Sequence, residues 1–366
     1  MKRRTFVIGC AALGAGAGLE LGLGCGPTEI EDQRQKLLTA WGQRVLLASY
    51  SEVETRAAEL ETSAQALCQA RSAEALEAAR SAWWAARAPW KRAEVFAFGP
   101  YSEEPQRFGP KMDFWPARPD SIANTLNGTE PLTAQAAADL GAPAKGFAAI
   151  EYLLYQPGVD VLTEFSNTRR CEYLLAISAD LVTQAAALRA AWEPAQGNYL
   201  GELTGAGKTS VHYETLQLAL GEIVNRMGYT IEYIRDTKLG KPLGTNSDGT
   251  PQPDVAESQF SGRAIEDIRD NLRGIERLYF GDGSPGEAGL EGYLKQRDRS
   301  FAKEMRRELD ASFGALDAIE PLSEAIVSRR SEVEAAIDRL RSLQRVIQVD
   351  IINALALSVG FGNDGD

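Results

Sequence analysis

Apolar residues recur at intervals of three and four along most of this chain, which is the spacing of one buried face of an α-helix. The first such run includes Leu37, Trp41, Val45 and Tyr50. The same spacing predicts further helices over residues 73–96, 170–192, 213–235, 263–279, 289–313, 322–339 and 343–357. Alternating runs of β-branched residues, which would indicate strands, are absent from the sequence. We therefore predict an all-α fold in which antiparallel helices bury their apolar faces in bundles.

The length of 366 residues favours two domains over one. Pro and Gly residues between 194 and 205 interrupt the helical pattern, which predicts an N-terminal bundle over 30–195 and a C-terminal bundle over 205–366. A weak similarity between 146–153 and 274–278 suggests duplicated four-helix bundles.

Two long irregular segments, 99–120 and 237–258, are rich in Pro, Gly and charged residues. Long loops in compact domains are usually either functional or disordered. The first segment contains Phe114 and Trp115, which indicates packing. For the second segment both alternatives stay open.

The N-terminus carries an export signal by its composition. Arg3 and Arg4 precede an apolar run that is too short to span a bilayer as a stable helix. This order resembles a twin-arginine signal, and Gly24-Cys25 resembles a lipoprotein cleavage site, although Glu20 interrupts the apolar run. We predict a signal peptide over 1–24, export to the periplasm or the outer membrane, and membrane attachment through a lipid on Cys25.

The net charge of −12 makes the protein acidic, and removal of residues 1–24 would make it −14 because that segment carries a net +2. An acidic protein is repelled by phosphate backbones and by anionic lipid surfaces. Nucleic acid is therefore not an expected partner, and a lipid chain rather than a basic patch would hold the protein on a membrane.

Two cysteines, Cys68 and Cys171, remain after the N-terminal pair. An exported protein could join them in a disulfide. Two separately buried thiols are the other interpretation, and it is the one that we favour. A zinc cluster is excluded because the sequence has no Cys-x-x-Cys and His212 is its single histidine.

Two glutamates, Glu94 and Glu151, lie in helices where their neighbours are mostly apolar or aromatic. A buried carboxylate must be paired, hydrogen-bonded or bound to a cation. Arg87, Lys91 and Arg92 are close enough in sequence to form an ion pair with Glu94. The alternative is that both carboxylates face a cleft and bind a cation or a polar ligand.

Other candidates have equally simple structural alternatives. Trp115 could be an aromatic plug between helices, and Asp113 could cap the turn after Pro116. Ser258 or Ser261 could be the N-cap of the next helix. The acidic end of the chain, with Asn363, Asp364 and Asp366, could bind a hard cation, but a solvated tail is favoured.

Several segments, in this order, resemble the imelysin-like family of bacterial cell-envelope proteins. Its motif reads Gly-x-His-x-x-Glu, and this chain has Gly146 and Glu151 but Ala148 at the histidine position. The other matching segments are Trp84…Arg87…Trp90…Glu94…Pro100, Asp113-Phe114-Trp115-Pro116, Lys238-Leu239-Gly240-Lys241-Pro242, Glu257-Ser258, Asp267…Asn271…Gly274 and Gly360-Phe361…Asp364-Gly365-Asp366.

The resemblance implies a ligand site between two helical bundles. The implied ligand-binding residues are Glu94, Asp113, Trp115, Glu151, Lys241, Glu257 and Ser258, and the implied metal ligands are Glu94, Glu151 and Asp366. Carboxylate oxygens suit iron or calcium, whereas a catalytic zinc needs imidazoles that this chain lacks.

The function that we expect is therefore that of an exported, non-enzymatic protein that binds a metal ion or a small ligand and acts in iron uptake. One alternative is a metallopeptidase, the activity first described for the family. A second alternative is an envelope scaffold that binds a transporter or another protein partner.

Overall fold

The computed structural model describes residues 27–281, 289–295 and 300–359. Within these ranges the regular structure is helical and no strand occurs, which confirms the predicted all-α class. Cys25, Asn363, Asp364 and Asp366 lie outside the described residues, so the lipid anchor and the C-terminal cation ligand stay predictions.

Most of the predicted helices lie within a few residues of their expected bounds. The predicted helix 322–339 is instead divided at Arg329, and its second part continues to Arg345, past the expected start of the last helix at residue 343. The first ten are α1 (Pro27–Ala40), α2 (Leu47–Ala70), α3 (Ala73–Ala93), α4 (Phe108–Met112), α5 (Pro119–Asn127), α6 (Ala134–Ala138), α7 (Gly146–Tyr155), α8 (Val161–Glu164), α9 (Thr168–Trp192) and α10 (Tyr199–Thr204). The others are α11 (Leu216–Tyr233), α12 (Lys241–Leu243), α13 (Ala264–Phe280), α14 (Leu290–Leu294), α15 (Ser300–Asp317), α16 (Leu322–Ser328), α17 (Arg330–Arg345) and α18 (Ile352–Ala354).

Three π-helical segments join consecutive α-helices without a break: Trp41–Leu46 before α2, Ile234–Gly240 before α12 and Val346–Ile351 before α18. Short 3₁₀ turns lie at Glu94–Phe96, Gly99–Tyr101, Ala142–Ala144 and Pro253–Val255. Wide π turns are uncommon and often mark functional sites. The segment Ile234–Gly240 is the one that bears on function here, because it carries Lys238.

The core around α2, α3 and α9 is built on large aromatic side chains. Trp41, Trp83, Trp90 and Trp192 are fully buried. The indole N–H groups of Trp41 and Trp83 donate to the Leu278 and Phe147 carbonyls, each at 3.0 Å. These bonds remove the cost of burying a polar group. They also tie α1–α2 to α13, and α3 to α7.

Helix α13 approaches α3 closely at a glycine. A Cβ on Gly274 would lie 2.2 Å from the Arg92 carbonyl oxygen, so a larger residue there would push the helices apart. This close packing sets the face of α13 that carries Asp267 and Asn271 against the face of α3 that carries Arg87 and Lys91.

A disulfide joins Cys68, near the end of α2, to Cys171, near the start of α9. The favoured interpretation, two separately buried thiols, was therefore wrong. Periodicity predicted α9 and the start of α2, but not that the end of α2 and the start of α9 lie side by side, with Cα atoms 5.5 Å apart. The linkage closes a long loop, which stabilises a fold chiefly by restricting the unfolded chain.

Helix α9 is long and apolar enough, by length and composition, to cross a membrane. In this fold its apolar residues Leu174, Ile177, Leu181 and Leu188 are buried in the protein core. A core helix accounts for its composition.

The two irregular segments are folded. Segment 99–120 holds a 3₁₀ turn, α4 and the start of α5, and segment 237–258 holds α12 and a second 3₁₀ turn. Leu243 and Ala256 of the second segment are buried, so its functional rather than disordered alternative is the one to pursue. The interruption after α9 lies where predicted, and the division into two bundles stays a prediction.

Candidate functional site

A group of buried charges lies where α3 packs against α13. The Arg87 guanidinium forms three ion pairs: Nη1 with Asp113 Oδ1 at 2.6 Å, Nη2 with Glu257 Oε1 at 3.1 Å and Nε with Asp267 Oδ2 at 3.1 Å. Its side chain is only 2% exposed. Buried charges are tolerated when they are paired and hydrogen-bonded in this way. We use the name ion cluster for Arg87, Lys91, Glu94, Asp113, Lys238, Glu257, Arg263, Asp267, Asp270 and Asn271.

The Lys91 ammonium lies at the centre of three carboxylates. Its Nζ is 2.7 Å from Asp113 Oδ2 and 2.5 Å from Glu257 Oε1, and it also donates to Glu94 Oε1. Oxygens of the three carboxylates lie within 4.8 Å of one another, a separation that would suit ligands of one metal ion. In this protein a lysine of the same chain already supplies the central positive charge.

Lys238, in the π-helical segment Ile234–Gly240, pairs with two of these carboxylates, Glu94 and Glu257. Its Nζ is 2.8 Å from Glu94 Oε2 and 2.7 Å from Asn271 Oδ1. Glu257 Oε2 lies 2.9 Å from the same nitrogen as an ion pair, but in a geometry that gives this buried oxygen no hydrogen bond. Asn271 Nδ2 donates to Glu94 Oε2 and to the Lys91 carbonyl, each at 2.7 Å.

A second set of ion pairs and hydrogen bonds, made to carboxylates of α13, lies behind the contacts of Arg87. Arg263 donates to Asp267 Oδ1, and its Nη2 lies 2.6 Å from Asp270 Oδ2. Ser258 Oγ donates to Asp267 Oδ2 at 2.5 Å. Asp267 is fully buried, and its two oxygens accept bonds from Arg87, Arg263 and Ser258. This set fixes the position of the acceptor that holds Arg87.

The expected N-cap of α13 is not formed by either serine. The helix begins after Arg263, with no side-chain cap. Ser258 and Ser261 instead donate to the buried carboxylates of Asp267 and Glu151. The prediction was wrong because the turn before α13 directs both hydroxyls inward, where an unpaired carboxylate is costlier than an uncapped helix end.

The charges in the cluster reinforce one another. Burial raises the pKa of Glu257, but Lys238, Lys91 and Arg87 outweigh it and hold the pKa well below its usual range. The pKa of Asp113 is lowered in the same way. Burial raises it, but the positive charges of Arg87 and Lys91 lower it by more. The carboxylates in turn outweigh burial at Arg87 and Lys91, whose pKa values are raised. These groups therefore keep their charges across the neutral range.

A cavity of about 450 Å³ opens above the cluster. Glu94, Asp113 and Glu257 contribute to its inner end. Five aromatic side chains, Tyr101, Phe114, Trp115, Tyr229 and Tyr233, line the cavity together with the three carboxylates and with Arg107 and Arg226. Trp115 and Tyr233 meet edge to face, with ring centres 6.4 Å apart. A concave pocket that combines aromatic walls with polar groups is a common form of a small-molecule site.

Glu151 lies apart from the three central carboxylates. Its Oε1 accepts hydrogen bonds from the Ser261 backbone N–H at 2.8 Å and from Ser261 Oγ at 2.7 Å. Burial raises the pKa of Glu151 to about 7, although these two hydrogen bonds oppose the shift. Ala148 and Glu151 line a second, much smaller cavity of about 10 Å³, which Asp113 and Trp115 also border.

Gly146, at the start of α7, is required by backbone geometry. Its φ is +70°, and a Cβ would lie 2.2 Å from the Met112 carbonyl oxygen. Helix α7 therefore begins in direct contact with the end of α4, next to Asp113. Glycine at this position places the segment that carries Ala148 and Glu151 beside the residues that border the cavity.

The structure brings together some of the residues that the sequence singled out. Glu94, Asp113, Trp115 and Glu257 border the large cavity, and Lys241 Nζ lies 5.6 Å from the Trp115 ring centre. Ser258 belongs to the support of Asp267. Of the cations considered for Glu94, Lys91 pairs with it, whereas Arg87 and Arg92 have other partners. Asp113 joins the cluster and does not cap the turn.

Sequence reasoning did not choose five members of the cluster as site residues: Lys238, Arg263, Asp267, Asp270 and Asn271, although three of them, Lys238, Asp267 and Asn271, lie in the segments that match the family. A signal was present, because Arg87 and Lys91 on one helix, and Asp267 and Asn271 on another, are spaced four residues apart among apolar neighbours. Polar pairs on a buried helical face need partners on a facing helix. Which helices face each other was not readable from the sequence.

The donor set does not fit a catalytic zinc ion. The single histidine, His212, packs beside Tyr199 and Tyr213, and its backbone N–H donates to Glu202. It does not border the cavity. The three carboxylates that could coordinate a metal are bound to Lys91, whose ammonium would have to leave before an ion could enter.

These features define a class: an all-α protein with a buried ion cluster beneath an aromatic-walled cavity. The sequence identifies the family, because the profile of the Imelysin family matches residues 46–347. The chain belongs to the imelysin family, as its motifs indicated.

The chain is also similar to individual proteins. It is 32% identical over 338 residues to iron-regulated protein A of Synechococcus elongatus, covering 91% of this chain and 88% of that protein. Its fold is similar to a crystal structure from Parabacteroides distasonis described as an iron-regulated protein A precursor (20% identity, TM-score 0.75, 89% of this chain and 94% of that chain). It is equally similar to an imelysin-like protein from Psychrobacter arcticum (18% identity, TM-score 0.75, 90% of this chain and 98% of that chain).

Proposed function

We propose that this protein binds a small polar organic molecule in the cavity above the ion cluster, and that it does so without a metal ion on the three central carboxylates. The observation that carries the proposal is the position of Lys91 Nζ, which contacts Glu94, Asp113 and Glu257 at once. A built-in cation neutralises the cavity floor and keeps it rigid, so that the floor can orient a ligand.

An iron-related role accompanies this binding activity in our proposal. Its support is the relative from Synechococcus elongatus, which is named for its regulation by iron. The N-terminal signals support export and a lipid on Cys25, as expected from the sequence. Metabolic labelling with a radioactive fatty acid, compared between the wild type and Cys25→Ala, tests the anchor: label on both proteins would contradict it.

The peptidase alternative finds less support in the site. A metallopeptidase needs an open metal position with a general base beside it. Here the position between the carboxylates holds Lys91, and Ala148 supplies no imidazole next to Glu151. Chelator-sensitive cleavage of unfolded casein by the purified wild type would overturn this part of the proposal.

Occupation of the cavity can be tested with a filling substitution. Thr230 borders the cavity on α11, and its hydroxyl donates only to the backbone one turn earlier. Thr183 on α9 makes the same local bond but is exposed. Thr230→Trp should fill the cavity without touching the ion cluster, and Thr183→Trp is its matched control.

The measurement is a thermal-shift screen of small organic cations, anions and neutral polyols, followed by calorimetry. We expect compounds of one class to raise the melting temperature of the wild type and of Thr183→Trp but not of Thr230→Trp. Equal stabilisation of both variants, or no stabilisation by any class, would contradict the proposal.

A further inference from the structure

The charges that border the cavity are arranged by depth. At the inner end the side chains of Asp113 and Glu257 are each 4% exposed and that of Glu94 is 14% exposed. Near the opening the side chains of Arg107 and Arg226 are 53% and 25% exposed. Carboxylates therefore border the inner end, and two arginines, each paired with a glutamate, border the opening.

At the inner end the carboxylates, and not the cations paired with them, face the cavity. Glu94, Asp113 and Glu257 border it, whereas their partners Arg87, Lys91 and Lys238 do not. In a partly desolvated cavity such carboxylates attract a cation more strongly than they would in water.

One acceptor at this end has unused capacity. Glu257 Oε2 is buried and accepts no hydrogen bond, although Lys238 Nζ lies 2.9 Å away. Buried carboxylate oxygens rarely lack a hydrogen-bond donor unless a ligand or water supplies one. The positive charge of a ligand at the inner end would be attracted to this oxygen.

The walls favour the same kind of group. Tyr101, Trp115 and Tyr233 surround the space with aromatic rings, and the ammonium groups of Lys238 and Lys241 already lie 5.6 Å from the ring centres of Tyr233 and Trp115. Burial, with Glu94 or Glu257 nearby, raises the pKa of Tyr101 and Tyr233, so both phenols stay neutral. Neutral aromatic rings next to carboxylates are the usual means by which proteins bind organic ammonium ions.

We propose that the inner end of this cavity receives an organic ammonium group, held between the aromatic walls and the carboxylates Glu94 and Glu257. This inference rests on the proposed function and narrows it to a class of ligand. An ammonium ligand that also carries an acceptor would place the acceptor toward Arg107 and Arg226 at the opening.

Choline and 3,3-dimethylbutan-1-ol form a matched pair of probes, because they have nearly the same shape and only choline is charged. Calorimetry of the full chain should show choline binding about tenfold more tightly than the alcohol, the ratio expected for a cation among aromatic rings. Citrate serves as the anionic probe. Tighter binding of citrate or of the alcohol would overturn the ammonium inference while leaving the cavity proposal standing; no binding of any probe class in the thermal screen would overturn both.

Two substitutions locate the site. Tyr233→Leu should weaken choline binding about tenfold, whereas Tyr233→Phe, which keeps the ring, should change it less than threefold. Lys241→Gln removes an exposed positive charge beside Trp115 and should strengthen choline binding by about twofold to threefold. Weaker binding of choline by Lys241→Gln would contradict the inference, since removal of a neighbouring positive charge favours a bound cation electrostatically. Circular dichroism confirms that each variant is folded.

Discussion

Glu257 and Glu151 are both buried carboxylates in the same region, and they differ in their partners. Glu257 has Arg87, Lys91 and Lys238 within 3.1 Å. Glu151 accepts two hydrogen bonds from Ser261 and, among the described residues, forms no ion pair. Burial raises the pKa of both, but only Glu257 has cations that reverse the shift. Neighbours, and not depth alone, decide whether a buried carboxylate is charged.

The comparison separates two roles. Glu257 belongs to a network of fixed charges that holds its geometry at any pH near neutral. Glu151, with a pKa of about 7, changes its protonation state in the physiological range. The first suits a rigid floor for a ligand, and the second makes the stability of the fold around its own helix, α7, depend on pH.

Lys91→Ala should have the largest effect on stability. It leaves Glu94, Asp113 and Glu257 without their common partner, and breaking a buried ion pair typically costs about 3–5 kcal/mol. The exposed Lys241→Ala is the control and should cost less than about 1 kcal/mol. Urea unfolding at pH 7 measures both free energies, and equal values for the two variants would contradict the assigned role of Lys91.

Glu151→Gln should reveal the opposite behaviour of the second carboxylate. The pKa of Glu151 is raised in the folded state, so its protonated form stabilises the fold below about pH 4.5 and this contribution is lost as the pH rises through about 7. The unfolding free energy of the wild type, relative to the variant, should therefore fall by about 3 kcal/mol across that window.

Glu257→Gln is the contrasting variant for this experiment. The pKa of Glu257 is lowered, so its charged form stabilises the fold above about pH 4.5 and the variant should be less stable than the wild type at pH 8. If Glu151→Gln also destabilises the protein at pH 8, the distinction between the two carboxylates is wrong.

Ser261→Ala should have a smaller, pH-dependent effect. It removes the hydroxyl that donates to Glu151 Oε1, while the backbone N–H remains. A hydrogen bond to a charged group contributes about 2 kcal/mol, so the loss should be seen at pH 8 and shrink at pH 5, where Glu151 is protonated. A pH-independent loss would show that the hydroxyl acts through packing alone.

Ala148→His is the smallest change and restores the histidine of the family motif. An imidazolium at this position would project toward Glu151 and lower its pKa, which should reduce the pH-dependent stability difference by about 1 kcal/mol. Ala148→Asn is the uncharged control. NMR titration of the side-chain carboxyl of residue 151 reads the shift directly, and an unchanged pKa would show that the two side chains do not interact.

Periodicity in the sequence predicted most of the long helices because their buried faces repeat at three and four residues. It predicted the site only in part. Glu94, Asp113 and Glu257 were identified by their motifs, but their common partner Lys91 was considered for Glu94 alone. Pairing across helices depends on the approach of α13 to α3 at Gly274 and on the π turn that carries Lys238, and neither leaves a local pattern. The disulfide was misjudged for the same reason.

The central claim is that Lys91 holds the position between the carboxylates that a metal ion would otherwise occupy. Equilibrium dialysis of the wild type and of Lys91→Met against calcium, zinc and ferric citrate, with folding checked by circular dichroism, tests it most directly. We predict well under one equivalent of any ion on the wild type and about one equivalent of a hard cation on Lys91→Met, where three carboxylates lack their ammonium. A full equivalent on the wild type that Glu257→Gln abolishes would contradict the claim.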